Sequence, residues 1–195
     1  MKKRALVHGR SNIPAQASSP IGKDFDPRGY RRGLGATNKY TRKFLNDPDA
    51  KRRMEDEGIG YSTTGLVAQI RAKNFAHTEE GVTIKLADSY GFCWGVERAV
   101  QMCYEARKQY PTKEIWITNE IIHNPTVNMR LSEMGVNFIQ ETDGVKNFNP
   151  VKSESVVILP AFGASIDEMK LLADIGVMIV DTTCPWVSRV WNSVD

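Results

Sequence analysis

From Val82 onward the chain alternates short apolar runs with amphipathic segments, and that rhythm restricts the architecture more than any other feature. "VTIKLA" alternates Val82, Ile84 and Leu86 with the period of a strand. "WGVERAVQMCYEARKQY" places Val96, Ala99, Val100, Cys103 and Ala106 on one helical stripe. "EIWIT" reads as a second strand and "NPTVNMRLSEMG" as a helix, with Asn124 as N-cap, Pro125 in the first turn and Gly135 as stop. "VNFIQ" follows as a strand, and "ETDGVKNFNPVKSE" as a polar loop. "SVVILP" is a continuous apolar run that suits a strand buried on both faces. "SIDEMKLLADIG" opens with a capping box from Ser165 to Glu168 and stops at Gly176. "VMIVDTT" is the last strand, and Pro185 opens a further helix. Strands and helices alternating at these lengths predict an α/β fold, a parallel sheet covered by helices on both faces.

The preceding residues differ in texture. Residues 1–80 are basic and glycine-rich and read as an irregular extension, with one short helix from about Thr64. Residues 1–23 carry five cations and no acid, a composition that suits an organelle transit segment and equally a solvated tail. The expected division is an extension over 1–80, an α/β domain over 81–184, and the start of a further domain over 185–195.

Bulk composition excludes some classes. A net charge of +3 with 25% charged residues is ordinary for a globular protein and calls for no nucleic-acid partner. No apolar run approaches the ~18 residues of a membrane span, so no membrane role is expected. Three cysteines, odd in number and widely spaced, are not a disulfide framework, which leaves thiols for metal or catalysis.

The chemically capable residues fall in strand-to-helix connections. Cys93 follows "VTIKLA" and precedes its helix, His123 follows "EIWIT", and Cys184 ends "VMIVDTT". "PAFGAS" adds open backbone at Gly163. In a parallel sheet such connections gather at the carboxyl edge, where open α/β folds bind ligands. Cys93, His123 and Cys184 are therefore expected on one rim, with Cys103 turned into the core. A thiol at a helix N-terminus gains from the partial positive charge there. Two thiolates and a histidine suit an iron–sulfur cluster or zinc, and the spacing does not separate them. A zinc- or redox-binding module without catalysis, with Cys93, His123 and Cys184 as ligands, stays open on these grounds, as does an interaction protein using the basic extension. Trp94, Trp116, Trp186 and Trp191 are expected in packing.

"GFCWGVERAV", "TNEIIHNPTVN", "LPAFGAS" and "VDTTCPWVSRVWN" stand in an order that resembles the 4-hydroxy-3-methylbut-2-enyl diphosphate reductases in their plant and cyanobacterial form, with a looser echo in "YRRGLG". The resemblance implies three α/β domains around a [4Fe-4S] cluster held by three cysteines. It implies reductive dehydroxylation of the allylic diphosphate to isopentenyl and dimethylallyl diphosphates. Cys93 and Cys184 match two cluster ligands, and His123, with Asn124 beside it, matches the diphosphate contact. Phe162 stands where many bacterial members carry histidine. The third cysteine, the proton-relay glutamate and further diphosphate contacts are expected beyond Asp195, so the chain reads as a fragment that is inactive alone. The implied partners are a small diphosphate substrate and a ferredoxin-like or flavodoxin-like electron donor. The implied location is a plastid stroma or, in a bacterium, the cytoplasm.

Overall fold

The computed structural model describes residues 25–59 and 65–194. The transit reading of residues 1–23 lies outside the described residues. In chain order the elements are α1 (Pro27–Gly35), β1 (Tyr40–Thr41), α2 (Pro48–Asp56), α3 (Gly65–Ala72), β2 (Ala76–Glu79), β3 (Val82–Lys85), α4 (Trp94–Gln109) and β4 (Ile115–Ile117). There follow α5 (Pro125–Glu133), β5 (Val136–Phe138), β6 (Glu141–Thr142), β7 (Val145–Lys146), β8 (Val156–Leu159), α6 (Ile166–Ile175), β9 (Met178–Asp181) and α7 (Pro185–Val194).

Five strands form one parallel sheet in the order β1-β9-β8-β4-β5, which confirms the α/β expectation. The central strand β8 shows why its sequence is continuously apolar. Val156 and Ile158 join the core under α2, α4 and α5, while Val157 and Leu159 join the core under α1 and α6. All four are buried, each such side chain contributing ~1.5–3 kcal/mol. The predicted helix signals hold. Asn124 Oδ1 accepts from Val127 N at 3.1 Å, and Ser165 and Glu168 form the reciprocal capping box. Gly176 ends α6 in the left-handed region at φ 82°, where a side chain would be strained.

Two expectations are corrected. The run "VTIKLA" does form a strand, but β3 pairs antiparallel with β2 in a separate hairpin, and Val82 and Ile84 are exposed. Alternation specifies an extended segment and does not specify its partner. The second correction concerns the extension, which is not irregular over residues 25–59. There α1 and α2 are helices, and β1 pairs with β9 as an edge strand of the main sheet. A polar hairpin, β6 with β7, lies within the segment read as a polar loop.

The ordering of that segment has a physical cause in α4. The helix is buried almost all round, including the polar residues Arg98, Gln101 and Glu105. Its apolar stripe meets the sheet, and α2 covers another face through Ala50 and Met54. Glu105, only 4% exposed, accepts from Leu45 N at 3.0 Å, Asp47 N at 2.9 Å and Gln101 Nε2 at 3.1 Å. Tyr104 donates to Glu57 at 2.6 Å. A buried carboxylate is costly without donors, and the extension supplies two of them from its backbone. Replacing Glu105 with Ala strands both N–H groups and is expected to lower unfolding free energy by about 2–3 kcal/mol in a urea titration. Glu105→Gln keeps an acceptor oxygen and should recover part of that loss.

Candidate functional site

The strand order contains a switch point. The chain passes from β4 outward to β5, then returns across β4 to β8 and continues to β9. The connections after β4 and β8 therefore diverge above the carboxyl edge, the position at which open α/β sheets accept ligands. Backbone bonds carry the ladder past the strand ends into these connections. Thr118 N donates to Ile158 O at 3.2 Å, Thr182 N to Leu159 O at 3.2 Å, and Cys184 N to Ala161 O at 2.9 Å. Cys184 then opens α7, its carbonyl accepting from Ser188 N at 2.9 Å.

Cys93 reaches the same edge by another route than expected. Because β3 lies outside the sheet, no sheet strand delivers it. The C-terminal end of α4 leads into the amino end of β4, so its N-terminus lies at the carboxyl edge. Cys93 is the N-cap of α4, with its carbonyl accepting from Val96 N and Glu97 N at 3.0 Å each. Its side chain makes no capping bond, which leaves the sulfur free.

Gly95 shows that Cys184 packs against the start of α4. A β-carbon built there would lie 2.2 Å from Cys184 Sγ and 3.1 Å from Cys184 Cβ. The Cys184 sulfur thus rests against the first turn of α4, two residues past Cys93. Only glycine leaves that space. Gly163, at φ 86°, plays a related part in the "PAFGAS" turn, where a β-carbon would crowd Thr183 Oγ1 at 3.2 Å. Phe162 is exposed beside it.

His123 projects from the connection after β4, its side chain 87% exposed. Nδ1 pairs with Glu120 Oε2 at 2.8 Å, so Nδ1 carries the donated proton and Nε2 faces outward. Asn124 has its amide oxygen committed to capping α5. Cys103 is fully buried on the α4 stripe, and burial pushes its thiol well above the usual range. Cys184 is also largely covered, at 7% exposure, which the expectation of a rim thiol did not anticipate. Trp94 and Trp186 are exposed rather than packed. Among the described residues no three His, Cys, Asp or Glu side chains gather as a metal site, so the three-ligand zinc arrangement of Cys93, His123 and Cys184 is not assembled.

Sequence reasoning missed a polar network under Cys184. Asp181 accepts from the Tyr40 hydroxyl, from Thr183 N at 2.9 Å and from the Thr183 hydroxyl, and pairs with Arg42 Nε at 3.2 Å. Arg42 donates to Thr183 O at 3.1 Å and Ser188 Oγ at 2.7 Å. The buried Arg98 donates to Thr182 O at 3.3 Å and Arg42 O at 2.9 Å. Burial, then the neighbouring Arg42, holds the Arg98 guanidinium below its usual range, opposed by Asp181 and Cys184. Burial and the Asp181 carboxylate together push the Tyr40 hydroxyl far up. The one available signal was an acid directly before "TTC" in a run otherwise apolar.

The family described as LytB protein matches residues 84–195. This chain belongs to the LytB family. The chain is 54% identical over 187 residues to the chloroplastic 4-hydroxy-3-methylbut-2-enyl diphosphate reductase of Botryococcus braunii, covering 95% of this chain and 37% of that protein. It is also 54% identical over 171 residues to the enzyme of that name from Crocosphaera subtropica, covering 87% of this chain and 42% of that one. A solved structure of E-1-hydroxy-2-methyl-but-2-enyl-4-diphosphate reductase from Plasmodium falciparum superposes with a TM-score of 0.50 at 29% identity, over 55% of this chain and 31% of that one. The chain spans about two fifths of the length of these curated LytB relatives. The Botryococcus match takes in most of residues 1–80, in keeping with the integration of β1 and α2 into the fold.

The site geometry sets an order of thiol reactivity. In the reduced chain, iodoacetamide should label Cys93 first, Cys184 more slowly, and Cys103 only on unfolding, as read by peptide mass mapping. Gly95→Ala should speed Cys184 labelling, because the added methyl must displace its sulfur.

Proposed function

We propose that this chain is the N-terminal part of an iron–sulfur reductase that converts 4-hydroxy-3-methylbut-2-enyl diphosphate to isopentenyl and dimethylallyl diphosphates. The overall change consumes two electrons and two protons, breaks the allylic C–O bond and releases water. The observation that carries the reading is the seating of Cys184 Sγ against Gly95, in the first turn of the helix that Cys93 caps, in a chain of the LytB family.

The donor set fits a cluster in part. Cys93 and Cys184 supply two soft thiolates, and the remaining ligand comes from protein outside this chain. When bound, a [4Fe-4S] cluster supplies electrons one at a time and a Lewis-acidic iron. The residues of this chain do the rest locally. Cys93 stands at the α4 N-terminus, whose unpaired N–H groups favour negative charge. Arg98 adds a buried positive charge beside Cys184. His123, oriented through Nδ1 by Glu120, turns its exposed ring toward the diphosphate. Asn124 contributes through its free amide nitrogen, its oxygen being held by the cap. The proton relay and further diphosphate contacts lie outside this chain.

A ferredoxin-like or flavodoxin-like protein delivers the electrons, and neither nucleic acid nor membrane takes part. Among the described residues no helix is long and apolar enough to cross a membrane. The reaction is placed in a plastid stroma or, in a bacterial host, the cytoplasm.

The test uses protein of the relatives' full length, reconstituted anaerobically, with iron and acid-labile sulfide measured. Cys93→Ser and Cys184→Ser should each lose the cluster and turnover, while Cys103→Ser keeps both. Retention of iron and sulfide by Cys184→Ser would overturn the assignment. His123→Ala should retain the cluster but bind the diphosphate more weakly by about 1.5–3 kcal/mol, the worth of a charged hydrogen bond. The 195-residue chain alone should show no turnover with substrate and reductant supplied.

A further inference from the structure

The hairpin of β2 and β3 stands outside the main sheet, and its own turn specifies it. Glu80 and Gly81 form a two-residue loop with φ of 47° and 79°, the pair of left-handed residues that a tight hairpin turn requires. The register runs from Glu79 opposite Val82 to Ala76 opposite Lys85, and Leu86 N extends it by donating to Phe75 O at 2.9 Å. Bonded pairs alternate along such a ladder. The N–H and C=O groups of Val82 and Ile84 therefore face β2, and those of Thr83 and Lys85 point to the opposite edge. Among the described residues no strand takes that edge. The two faces differ as sharply. Thr83 shares a hydroxyl bond with Thr78 at 2.9 Å on one face, where Lys85 also lies, while Val82 and Ile84 stand on the other at 65% and 50% exposure. A lone two-stranded hairpin is marginal in water, and an open edge with an apolar face invites stray pairing unless something covers it.

We propose that the free edge of β3 receives a strand from the part of the full-length protein that lies outside this chain, making β3 a member of a second sheet. The inference rests on the reductase reading, which draws the remaining cluster ligand from that same part. Two observations name this occupant. The chain spans about two fifths of the length of its curated LytB relatives, so most of such a protein is available to cover exposed surface. The chain also runs from β3 to Cys93 through Leu86 to Phe92 alone, and Phe92 packs against the core. Protein that brings a third thiolate to Cys93 thus arrives near the end of β3. A strand of the same polypeptide competes at an effective concentration of ~1 mM, which a second copy of the chain at micromolar concentration does not match. Strand addition answers both features of the hairpin at once. Main-chain bonds take up the groups of Thr83 and Lys85, and the enlarged sheet covers Val82 and Ile84.

The test is hydrogen exchange read residue by residue, in the 195-residue chain and in reconstituted protein of the relatives' full length. The amides of Thr83 and Lys85 should exchange at least about a hundredfold more slowly in the longer protein. Equal rates in the two proteins would refute the proposal. So would protection that appears only as protein concentration rises, since that identifies a second copy as the occupant. Thr83→Pro removes an N–H that β2 does not use, a change that edge strands tolerate. It should leave the melting curve of the 195-residue chain unchanged and abolish the slow exchange of Lys85 in the longer protein. Ile84→Asp, at a half-exposed position, should act in the same way through the apolar face. Slow exchange of Lys85 retained in both variants would also refute strand addition. A failure of the reductase reading looks different. Wild-type full-length protein that lacks iron and sulfide but protects Thr83 and Lys85 would count against that reading while supporting the shared sheet.

Discussion

A buried carboxylate governs how this chain is assembled. Glu105 lies in the middle of α4 with almost no access to water, and two of its three donors are backbone N–H groups of residues 45 and 47. Satisfying it clamps the extension across α4. The clamp places α2 against the helix and leaves the preceding residues at the edge of the sheet, where β1 pairs with β9. Tyr40 and Arg42 then flank the end of β9 and close on Asp181. The backbone from Asp181 to Cys184 is thereby held from below. A contact far from the candidate site thus orders the segment that carries its second cysteine.

That chain of dependence was only partly legible in the sequence. Caps were readable because they are local. Asn124, Ser165, Glu168 and Gly176 each act within one turn, and each does what its residue type suggests. The buried strand β8 was readable because burial on both faces leaves no polar position. The role of residues 25–59 was hidden, since β1 is two residues long and shows no period. Arg98, Gln101 and Glu105 look like a solvated helix face until the covering helix is known. The pairing of β3 was misjudged for a similar reason. Val82 and Ile84 alternate correctly, but their exposure depends on a neighbour that the pattern does not name.

The convergence of Cys93 and Cys184 was legible for a reason partly mistaken. Two strand-to-helix connections were expected to bring them together. One does so for Cys184, while the direction of α4 does so for Cys93. The outcome survives because a helix feeding the amino end of a parallel strand must begin at the carboxyl edge. The close approach was not legible. Gly95 could have been any small helical residue in the pattern, and only the packing of Cys184 Sγ shows that a side chain there has no room.

The carboxyl edge divides its work between backbone and side chains. Main-chain groups of Thr118, Ala161, Thr182 and Cys184 are taken up in cross-connection bonds, and those of Cys93 and Asn124 open helices. Asp181, Arg42 and Arg98 spend their side chains on the backbone and side chains of residues 182, 183 and 188. The connections are thus rigid without drawing on the Cys93 sulfur or on His123 Nε2. A soft metal centre needs this arrangement, because thiolates already hydrogen-bonded to their own loop would have to break those contacts to bind. Cys103 illustrates the opposite case: its thiol donates to Ala99 O at 3.3 Å within a closed core, and burial keeps it protonated. The same residue type is inert in one helix position and available one cap away, and the difference lies in what the surrounding backbone has already claimed.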